Sequence, residues 1–375
     1  MLLTFRLLTL VGLLTGLVPG SDAAVISVGL GAEPFHTLQA GINAANSGDT
    51  IEVAAGTYAG AAAVATIGTG KSGLTIKGVG GPVVLDAAGY SIPNGKAIFV
   101  IQGAGVTVQD IGFSNAAVPD NNGAGIRLEA TGAFTCIGCS FTGNQDGILT
   151  YHNLATSLFV MNSFFTNNGA CDGFSHGIYA GAIGAVSVSG STFSGTCIGH
   201  DIKSRAATTT VMDNCLSCDY AGSASYQVEL PAGGVGIISG NVLGKAPQAD
   251  NDHFIAYSAE CLDCYSVNAL SVFGNTFNNP GSFKWEPGVP DQARLLINFS
   301  DVVAQVSDNT TCGLIPGLVV GPANLSNNVA TTSCRSADVP EPGSIVLFLL
   351  GGTVLLLVQR RVPGRWQRSS LPLPG

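Results

Sequence analysis

The stretch His176-Gly-Ile-Tyr-Ala-Gly-Ala-Ile-Gly-Ala-Val-Ser-Val-Ser-Gly-Ser-Thr-Phe193 contains the elements that recur along this chain. It holds a Gly-Ile pair, an alternating β-branched segment at Val186-Ser-Val188 and a polar-x-Phe motif that ends at Phe193. Alternation of this kind is typical of short strands, and the glycines between them are typical of tight turns. The stretch therefore predicts short strands joined by turns.

Both motifs repeat outward from this stretch. A polar-x-Phe/Leu motif recurs at Ile111-Gly-Phe113, Cys139-Ser-Phe141, Asn162-Ser-Phe164, Ser191-Thr-Phe193, Asn214-Cys-Leu216, Asn241-Val-Leu243 and Asn275-Thr-Phe277. The second motif interleaves with it at Gly125-Ile126, Gly147-Ile148, Gly177-Ile178, Asp201-Ile202, Gln227-Val228 and Phe254-Ile255. A repeat of roughly 26 residues is too short for a propeller blade and lacks the heptads of a coiled coil. It predicts an all-β, single-stranded right-handed parallel β-helix, with stacked apolar columns inside and Gly and Asn at the turns.

The composition agrees with this prediction. The 375 residues include 51 Gly, and only 10% of them are charged. Disordered chains are rich in charge, and collagen places Gly at every third residue, so both classes are excluded. A long helical bundle is disfavoured, because Gly costs about 1 kcal/mol at each helix-interior position.

Both ends of the chain carry segments that read as targeting signals. Residues 1–24 combine Arg6, an apolar run and a small-residue exit, which predicts a secretory signal peptide. Residues 339–362 contain Val-Pro-Glu-Pro-Gly-Ser, a short apolar run and Gln359-Arg360-Arg361. This tail resembles a PEP-CTERM sorting signal, and the basic residues 363–375 would stay in the cytoplasm. The resemblance implies processing by signal peptidase and exosortase in a Gram-negative bacterium, with the product at the cell envelope or outer surface, or secreted.

The predicted exported domain, residues 25–338, carries a net charge of −12. A domain with this net negative charge does not attract nucleic acid through its overall electrostatic field. The chain has ten cysteines, six of them in CxxC pairs, and export favours disulfides over a zinc site. Cys312 and Cys334 are expected to form a bridge at the C-terminal end, and no metal site is assigned.

The start of the predicted domain carries a family resemblance. The segment from Phe35 to Asn46 places Leu38, Ile42 and Ala45 at helical spacing, and Gly48-Asp-Thr-Ile-Glu-Val53 and Gly56-Thr-Tyr58 follow it. The whole resembles the opening of pectin-lyase-like β-helix proteins, in which a capping helix closes the N-terminal end. Residues 199–206 and 225–234 resemble an uncharacterised group of exported bacterial β-helix proteins. The stretch His176-Gly-Ile-Tyr179 resembles rungs of alginate C5-epimerases and polysaccharide lyases, although their Asp-Pro-His motif is missing.

Neighbouring rungs of such a coil lie about 4.8 Å apart, so residues at matching offsets from the Ile/Val column form surface ladders. Lys203 and Arg205 then share a face with Tyr179, and they are two of only three basic residues between positions 97 and 244. His176 and His200 align two residues before the column, whereas His152 is out of register. The predicted catalytic residues are Lys203, Arg205, His176, His200 and Tyr179. The predicted substrate-binding residues are Arg127, Tyr151, Asp146, Tyr226, Glu229 and His253.

A focused cationic spot favours an acidic substrate, because its charge neutralises a uronate carboxylate and makes the C5 proton removable. Arg205 would bind the carboxylate, Lys203 or His200 would act as base, and Tyr179 or His176 as acid. The sequence therefore predicts a lyase or C5-epimerase that acts on an acidic polysaccharide or exopolysaccharide.

Two alternative functions remain. The first is a non-catalytic surface or biofilm-matrix protein that binds glycan. The second is a glycoside hydrolase that uses Asp146, Asp201 or Glu229, with Asp172 in a nearby loop. The alternative interpretation of Lys203 and Arg205 themselves is that they pair with Asp201 and Glu229 as solvated surface charge. We expect a monomer without a cofactor, although calcium would bridge an acidic body to a polyanion.

Overall fold

The computed structural model describes residues 23–280, 293–315, 317–332 and 334, together with the short strands 348–350 and 353–355. The predicted signal peptide lies outside the described residues except for its last two. The predicted sorting segment and tail lie outside them except for those two strands. Among the described residues, no helix is long and apolar enough to cross a membrane.

The described chain winds into a parallel β-helix with three faces, as the sequence predicts. We call the first sheet the ten-strand face, and it consists of β3 (Ala65–Ile67), β5 (Ala97–Ile101), β8 (Ala124–Leu128), β11 (Asp146–Thr150), β14 (Ile178–Ala180), β17 (Ile202–Ser204), β20 (Val228–Leu230), β23 (His253–Tyr257), β26 (Arg294–Asn298) and β29 (Val319–Val320). Every pairing within it is parallel, so each strand lies beside the strand one full turn later. Parallel strands joined by right-handed crossovers are what a right-handed β-helix requires.

The other two faces belong to one continuous sheet. The long face consists of β1 (Val25–Val28), β2 (Thr50–Ala59), β4 (Thr75–Asp86), β6 (Val106–Gln109), β9 (Gly132–Ile137), β12 (Asn153–Met161), β15 (Ile183–Ser189), β18 (Thr208–Met212), β21 (Val235–Ser239), β24 (Ala269–Phe273), β27 (Ala304–Ser307) and β30 (Ala323–Ser326). The phenylalanine face continues the ends of β2 and β4 through β7 (Gly112–Ser114), β10 (Ser140–Thr142), β13 (Phe164–Thr166), β16 (Thr192–Ser194), β19 (Cys215–Leu216), β22 (Val242–Gly244), β25 (Thr276–Asn278), β28 (Thr310–Cys312) and β31 (Val329–Thr331). A 3-10 turn spans Gly60–Ala62, and β32 (Phe348–Leu350) pairs antiparallel with β33 (Thr353–Leu355).

The interior consists of stacked columns, as predicted. The aromatic rings of Phe113, Phe141, Phe165 and Phe193 stack with centroids 5.3, 4.6 and 4.3 Å apart. The predicted motif at Phe164 was wrong by one residue, because Phe165 pairs with Phe141 and Phe193 while Phe164 faces solvent. Two adjacent phenylalanines satisfied the sequence pattern equally, and strand alternation decides which of them is buried.

The N-terminal end of the coil is closed by helix α1 (Leu38–Ala44), which confirms the predicted cap. The Thr37 side chain caps the helix by accepting a hydrogen bond from the Ala40 N–H at 3.1 Å. Leu38, Gly41 and Ile42 are buried against the first rungs. The helix thus covers apolar surface that the open end of a solenoid would otherwise expose.

The corner between the long face and the phenylalanine face holds a column that we call the asparagine ladder, formed by the buried Asn214, Asn241, Asn275 and Asn309 and the half-buried Asn328. Each of the first four side-chain amides donates to the Oδ1 of the next rung at 2.9–3.0 Å. Each also donates to a backbone carbonyl of an earlier rung. The ladder confirms the expectation that asparagine lies at the turns, and there it links adjacent rungs.

Eight cysteines form disulfides, and these bridge Cys171–Cys197, Cys215–Cys218, Cys261–Cys264 and Cys312–Cys334. The predicted Cys312–Cys334 bridge is confirmed. The CxxC pair of Cys136 and Cys139 differs, because both thiols are free and buried in the coil. No group of three or more His, Cys, Asp or Glu side chains placed to hold a metal ion occurs in the described ranges.

Candidate functional site

The ten-strand face carries the surface ladder that the sequence predicts. Its register joins Arg127 to Leu149, Leu149 to Tyr179, Tyr179 to Lys203, and Lys203 to Glu229. These residues follow the buried Ile/Val column by one position, so their side chains point away from the core. Strand pairing therefore brings Tyr179, Lys203 and Glu229 onto three consecutive rungs.

Lys203 is the centre of a charged cluster at these rungs. Its Nζ lies 2.9 Å from Glu229 Oε2 and 3.1 Å from Glu260 Oε1. Glu229 is the buried partner, with 7% of its side chain exposed, whereas 43% of the Glu260 side chain is exposed. Asp201, which sequence reasoning considered as a partner for these cations, is instead buried and accepts hydrogen bonds from Thr196 and Ser217.

Arg205 lies beside Lys203 and holds Glu260 with two parallel hydrogen bonds. Its Nε donates to Glu260 Oε2 at 2.8 Å, and its Nη2 donates to Oε1 at 2.6 Å. The remaining nitrogen, Nη1, donates to the Tyr179 hydroxyl at 2.7 Å, and the guanidinium carbon lies 5.1 Å from the centre of that ring. This planar two-point arrangement is the geometry in which arginine recognises a carboxylate.

The charges in the cluster stabilise one another. Burial opposes the ionised form of Glu229, but hydrogen bonds from His200 and Lys203, together with the charge of Lys203, outweigh it and lower the pKa of Glu229. Burial likewise opposes the charge on Glu260, yet Arg205 and Lys203 hold its pKa below the ordinary value. The pKa of Arg205 is raised, because its contacts with Glu260 and Tyr179 outweigh its desolvation. Two carboxylates, Glu229 and Glu260, therefore face two basic side chains, Lys203 and Arg205, within hydrogen-bonding distance.

His176 and His200 lie on adjacent rungs as predicted, and their rings stack with centroids 4.8 Å apart and an angle of 15° between the rings. The Nδ1 atom of His176 accepts the backbone N–H of His200 at 2.9 Å, and Nδ1 of His200 accepts the N–H of Tyr226 at 3.2 Å. An N–H group can only donate, so both Nδ1 atoms are unprotonated and each ring carries its proton on Nε2. His200 Nε2 is 2.9 Å from Glu229 Oε2 and donates to it.

This geometry argues against the expected roles of His200 as base and His176 as acid. The single lone pair of each neutral ring is already engaged by a backbone N–H group, so neither ring has a free site for a proton. Burial, followed by the positive charge of neighbouring groups, holds the pKa of His176 well below its usual range. The two histidines instead position Glu229 and the backbone of the next rungs.

Several predicted substrate-binding residues lie away from the surface. Asp146 is fully buried, and its Oδ1 accepts the His176 N–H at 2.7 Å, so the expectation that it contacts substrate is wrong. Burial raises its pKa to about 8. His253 is also buried and contacts Asp252 through Nδ1 at 2.5 Å. Tyr226 is half-buried beside His200, and burial raises its pKa to about 12, so it stays protonated.

Toward the N-terminal end of the ten-strand face, a groove with a cavity of 390 Å³ adjoins the charged cluster. Arg127, Tyr151, His152 and Tyr179 are among its lining residues, and 56% of Tyr151 is exposed. Arg127 Nε is buried without a hydrogen-bond partner among the described residues, and it lies 3.6 Å from Glu129. Tyr179 belongs to both the groove and the cluster, so a ligand that runs along the axis would meet both.

Sequence reasoning missed Glu260 and Tyr265. Both belong to the loop between β23 and β24, which we call the 258–265 loop. Tyr265 donates its hydroxyl proton to the carbonyl of Arg205 at 2.6 Å, so the loop covers one side of the cluster. The loop lies outside the repeating columns, and its only sequence signal was the CxxC pair that begins at Cys261.

Comparisons with known proteins concern the fold. No protein-family model and no curated protein matches the chain. The structure is similar to that of an alginate lyase from Paenibacillus sp. str. FPU-7, with a TM-score of 0.52 and 16% identity over 82% of this chain and 99% of that one. It is also similar to ORF18 of Geobacillus virus E2, with a TM-score of 0.51 and 14% identity over 78% of this chain and 56% of that one. At these identities the likeness shows the shared β-helix architecture alone.

Proposed function

We propose that this protein binds an acidic polysaccharide of the uronate type along the ten-strand face and acts on it by lyase or C5-epimerase chemistry. The observation that carries the proposal is the pair Lys203 and Arg205. These two side chains are 13% and 18% exposed, and both are already arranged around the planar carboxylate of Glu260. The adjoining groove supplies exposed tyrosine surface for sugar rings, and the alginate lyase is an enzyme with a similar fold.

The proposed chemistry begins with the uronate carboxylate on Arg205 and Lys203. Their charge stabilises the electron density that develops when the C5 proton leaves. Lys203 Nζ and the Tyr179 hydroxyl are the groups that would move protons, because both histidines are engaged by backbone N–H groups. In elimination, one of these two groups, in its unprotonated form, takes the C5 proton, the C5–H electrons form the C4=C5 bond, the C4–O4 bond breaks, and the other group protonates O4. In epimerisation, the C4–O4 bond stays intact, and the other group returns a proton to C5 from the opposite side.

A non-catalytic glycan-binding role is the second candidate, and a specific observation favours it. Both cations are paired, and the two histidines hold fixed structural positions. The hydrolase alternative is disfavoured, because Asp146 and Asp201 are buried in the coil and cannot flank a glycosidic bond. The net charge of −12 predicted for residues 25–338 opposes binding to a polyanion, and bridging calcium would relieve that repulsion.

Export remains part of the proposal. Four disulfides fit an oxidising compartment outside the cytoplasm. The proposed processing partners are signal peptidase, acting at residues 1–24, and exosortase, acting on the sorting signal at 339–362. A Gram-negative cell envelope or outer surface, or release after processing, is the proposed location.

The test is to incubate the purified protein with alginate and polygalacturonate and to follow the ultraviolet absorbance of unsaturated products. We expect activity that is lost in the double variant Lys203→Ala/Arg205→Ala. Arg294→Ala is the control, since Arg294 lies on the same face, two rungs beyond Glu229, and pairs with Asp252. A signal that survives the double variant would overturn the lyase assignment. NMR of recovered polymer distinguishes epimerisation from simple binding.

A further inference from the structure

We propose that the Glu260 side chain is an internal occupant of the carboxylate-binding position and must be displaced by a substrate carboxylate. This inference rests on the proposed function and adds a specificity-determining residue to it. In the described structure Glu260 contacts both basic side chains that the site would offer to a uronate carboxylate. Its two oxygens accept from Arg205 Nε and Nη2, and one of them lies 3.1 Å from Lys203 Nζ.

The backbone around Glu260 is firmly held. The N–H groups of Glu260 and Cys261 both donate to the carbonyl of Pro231, at 2.9 and 3.1 Å. Ser258 Oγ donates to the Cys261 carbonyl at 2.6 Å, and the Cys261–Cys264 disulfide closes the loop. The 258–265 loop therefore does not need to open, and only the side chain beyond the backbone has to move.

The Glu260 side chain is the member of the cluster that can leave. It is 43% exposed, whereas Glu229 on the other side of Lys203 is 7% exposed and also accepts from His200. Rotating Glu260 into solvent returns its carboxylate to water and leaves two cations facing one carboxylate. An incoming carboxylate would then restore the same hydrogen bonds, so the exchange replaces one charged contact with an equivalent one.

This arrangement also determines which ligands can compete. A planar carboxylate matches the two parallel donors of Arg205, whereas a neutral sugar cannot replace the charge that Glu260 provides. The site should therefore select uronates over neutral sugars. The energetic cost of displacing Glu260 lowers the affinity for each carboxylate ligand that takes its place, whereas a neutral sugar that leaves Glu260 in position does not bear this cost.

The experiment measures binding of a galacturonate hexamer and a mannuronate hexamer by titration calorimetry, with the carboxyl-reduced hexamers as neutral probes. Glu260→Gln keeps the shape of the side chain but removes its charge, and Asp263→Asn removes the same charge from the same loop. Asp263 pairs with no cation in the described part of the chain. We expect Glu260→Gln to strengthen uronate binding on the order of tenfold, with no gain for Asp263→Asn or for the neutral hexamers.

The outcomes separate this inference from the proposed function. Uronate binding that is equal or weaker in Glu260→Gln than in the unmodified protein would overturn the displacement model and leave the proposed function standing. Failure of the unmodified protein and of Glu260→Gln to bind either uronate would overturn both. An unchanged melting temperature of Glu260→Gln, expected because the side chain is exposed, shows that any change in affinity arises at the site.

Discussion

The asparagine ladder and the surface ladder of the ten-strand face are built by the same register but differ in chemistry. In the asparagine ladder, every described rung from Asn214 to Asn328 supplies the same amide, and each amide bonds to its neighbour. On the ten-strand face, consecutive positions are Arg127, Leu149, Tyr179, Lys203 and Glu229. Uniform ladders repeat one stabilising contact, whereas a mixed ladder places different groups at defined separations.

Burial explains why the two ladders carry different roles. The buried amides have no water to bond with, so each must find its partners in the protein. The charged groups of the face keep partial exposure, and their partners include a side chain from a loop outside the repeats. A substitution in the first ladder should therefore change stability, and a substitution in the second should change binding.

The largest expected effect follows Asn241→Ala. Asn241 accepts from the N–H and side chain of Asn214 and donates to Val211 O and Asn275 Oδ1. Removing the amide leaves these buried groups without partners, and we expect a loss of about 3 kcal/mol in the free energy of unfolding. Chemical denaturation measures this loss. Asn324→Ala is the matched control, because Asn324 is exposed and bonds only weakly to Gln305. Equal losses of unfolding free energy in the two variants would contradict the stabilising role of the asparagine ladder.

The second prediction concerns Asp146, which lies on the ten-strand face but is buried like the asparagines. Its pKa rises from 3.8 to about 8 on folding, so the folded state favours the protonated carboxyl. The stability that Asp146 contributes is therefore fully present below about pH 3.8 and is lost as the pH rises toward 8. We expect Asp146→Asn to be more stable than the unmodified protein at pH 8, by a few kcal/mol, and to differ little at pH 4.

Melting curves across this pH range test the prediction, because the difference between the two proteins isolates one group. Asp213→Asn serves as the control, since Asp213 lies at an exposed turn of the coil. A difference between Asp146→Asn and the unmodified protein that does not vary with pH would contradict the assignment. Asp146 would then behave as an ordinary surface carboxylate.

The smallest effect is expected for Tyr151→Ala in the groove. Tyr151 is largely exposed and packs edge-on against His152 at 6.0 Å. Its loss should weaken uronate binding roughly threefold, since an aromatic contact contributes about 0.5–1.5 kcal/mol. The free energy of unfolding should stay within about 0.5 kcal/mol of the unmodified value. Calorimetric titration and denaturation of the same sample distinguish the two effects, with the equally exposed Leu154→Ala as control.

The sequence predicts the fold well, because the β-helix repeats its own contacts. The columns of Ile126, Ile148 and Ile178 could be aligned from spacing, and the observed register matches that alignment. The error at Phe164 arose where two phenylalanines adjoin, so that spacing alone did not decide which one faces the core.

The site was predicted only as far as the repeats extend. Alignment of the rungs placed Tyr179, Lys203 and Glu229 together without knowledge of the structure. Glu260 comes from an inserted loop, and its approach to Arg205 depends on a three-dimensional path that no periodicity encodes. The proton positions on His176 and His200 depend on backbone N–H groups of the next rung, which a pattern of side chains does not report.

The register of the ten-strand face also fixes the distances between its surface groups along the axis of the coil. Each rung advances about 4.8 Å along the axis, so Arg127 and Glu229, four rungs apart, are separated by roughly 19 Å along the coil. Substituting a residue changes one group of the surface ladder. Inserting a whole rung increases the separation between the groups on its two sides and leaves those groups unchanged. A protein built in this way can change the separation between groups on this face by duplicating a turn, without altering the contacts of the other rungs.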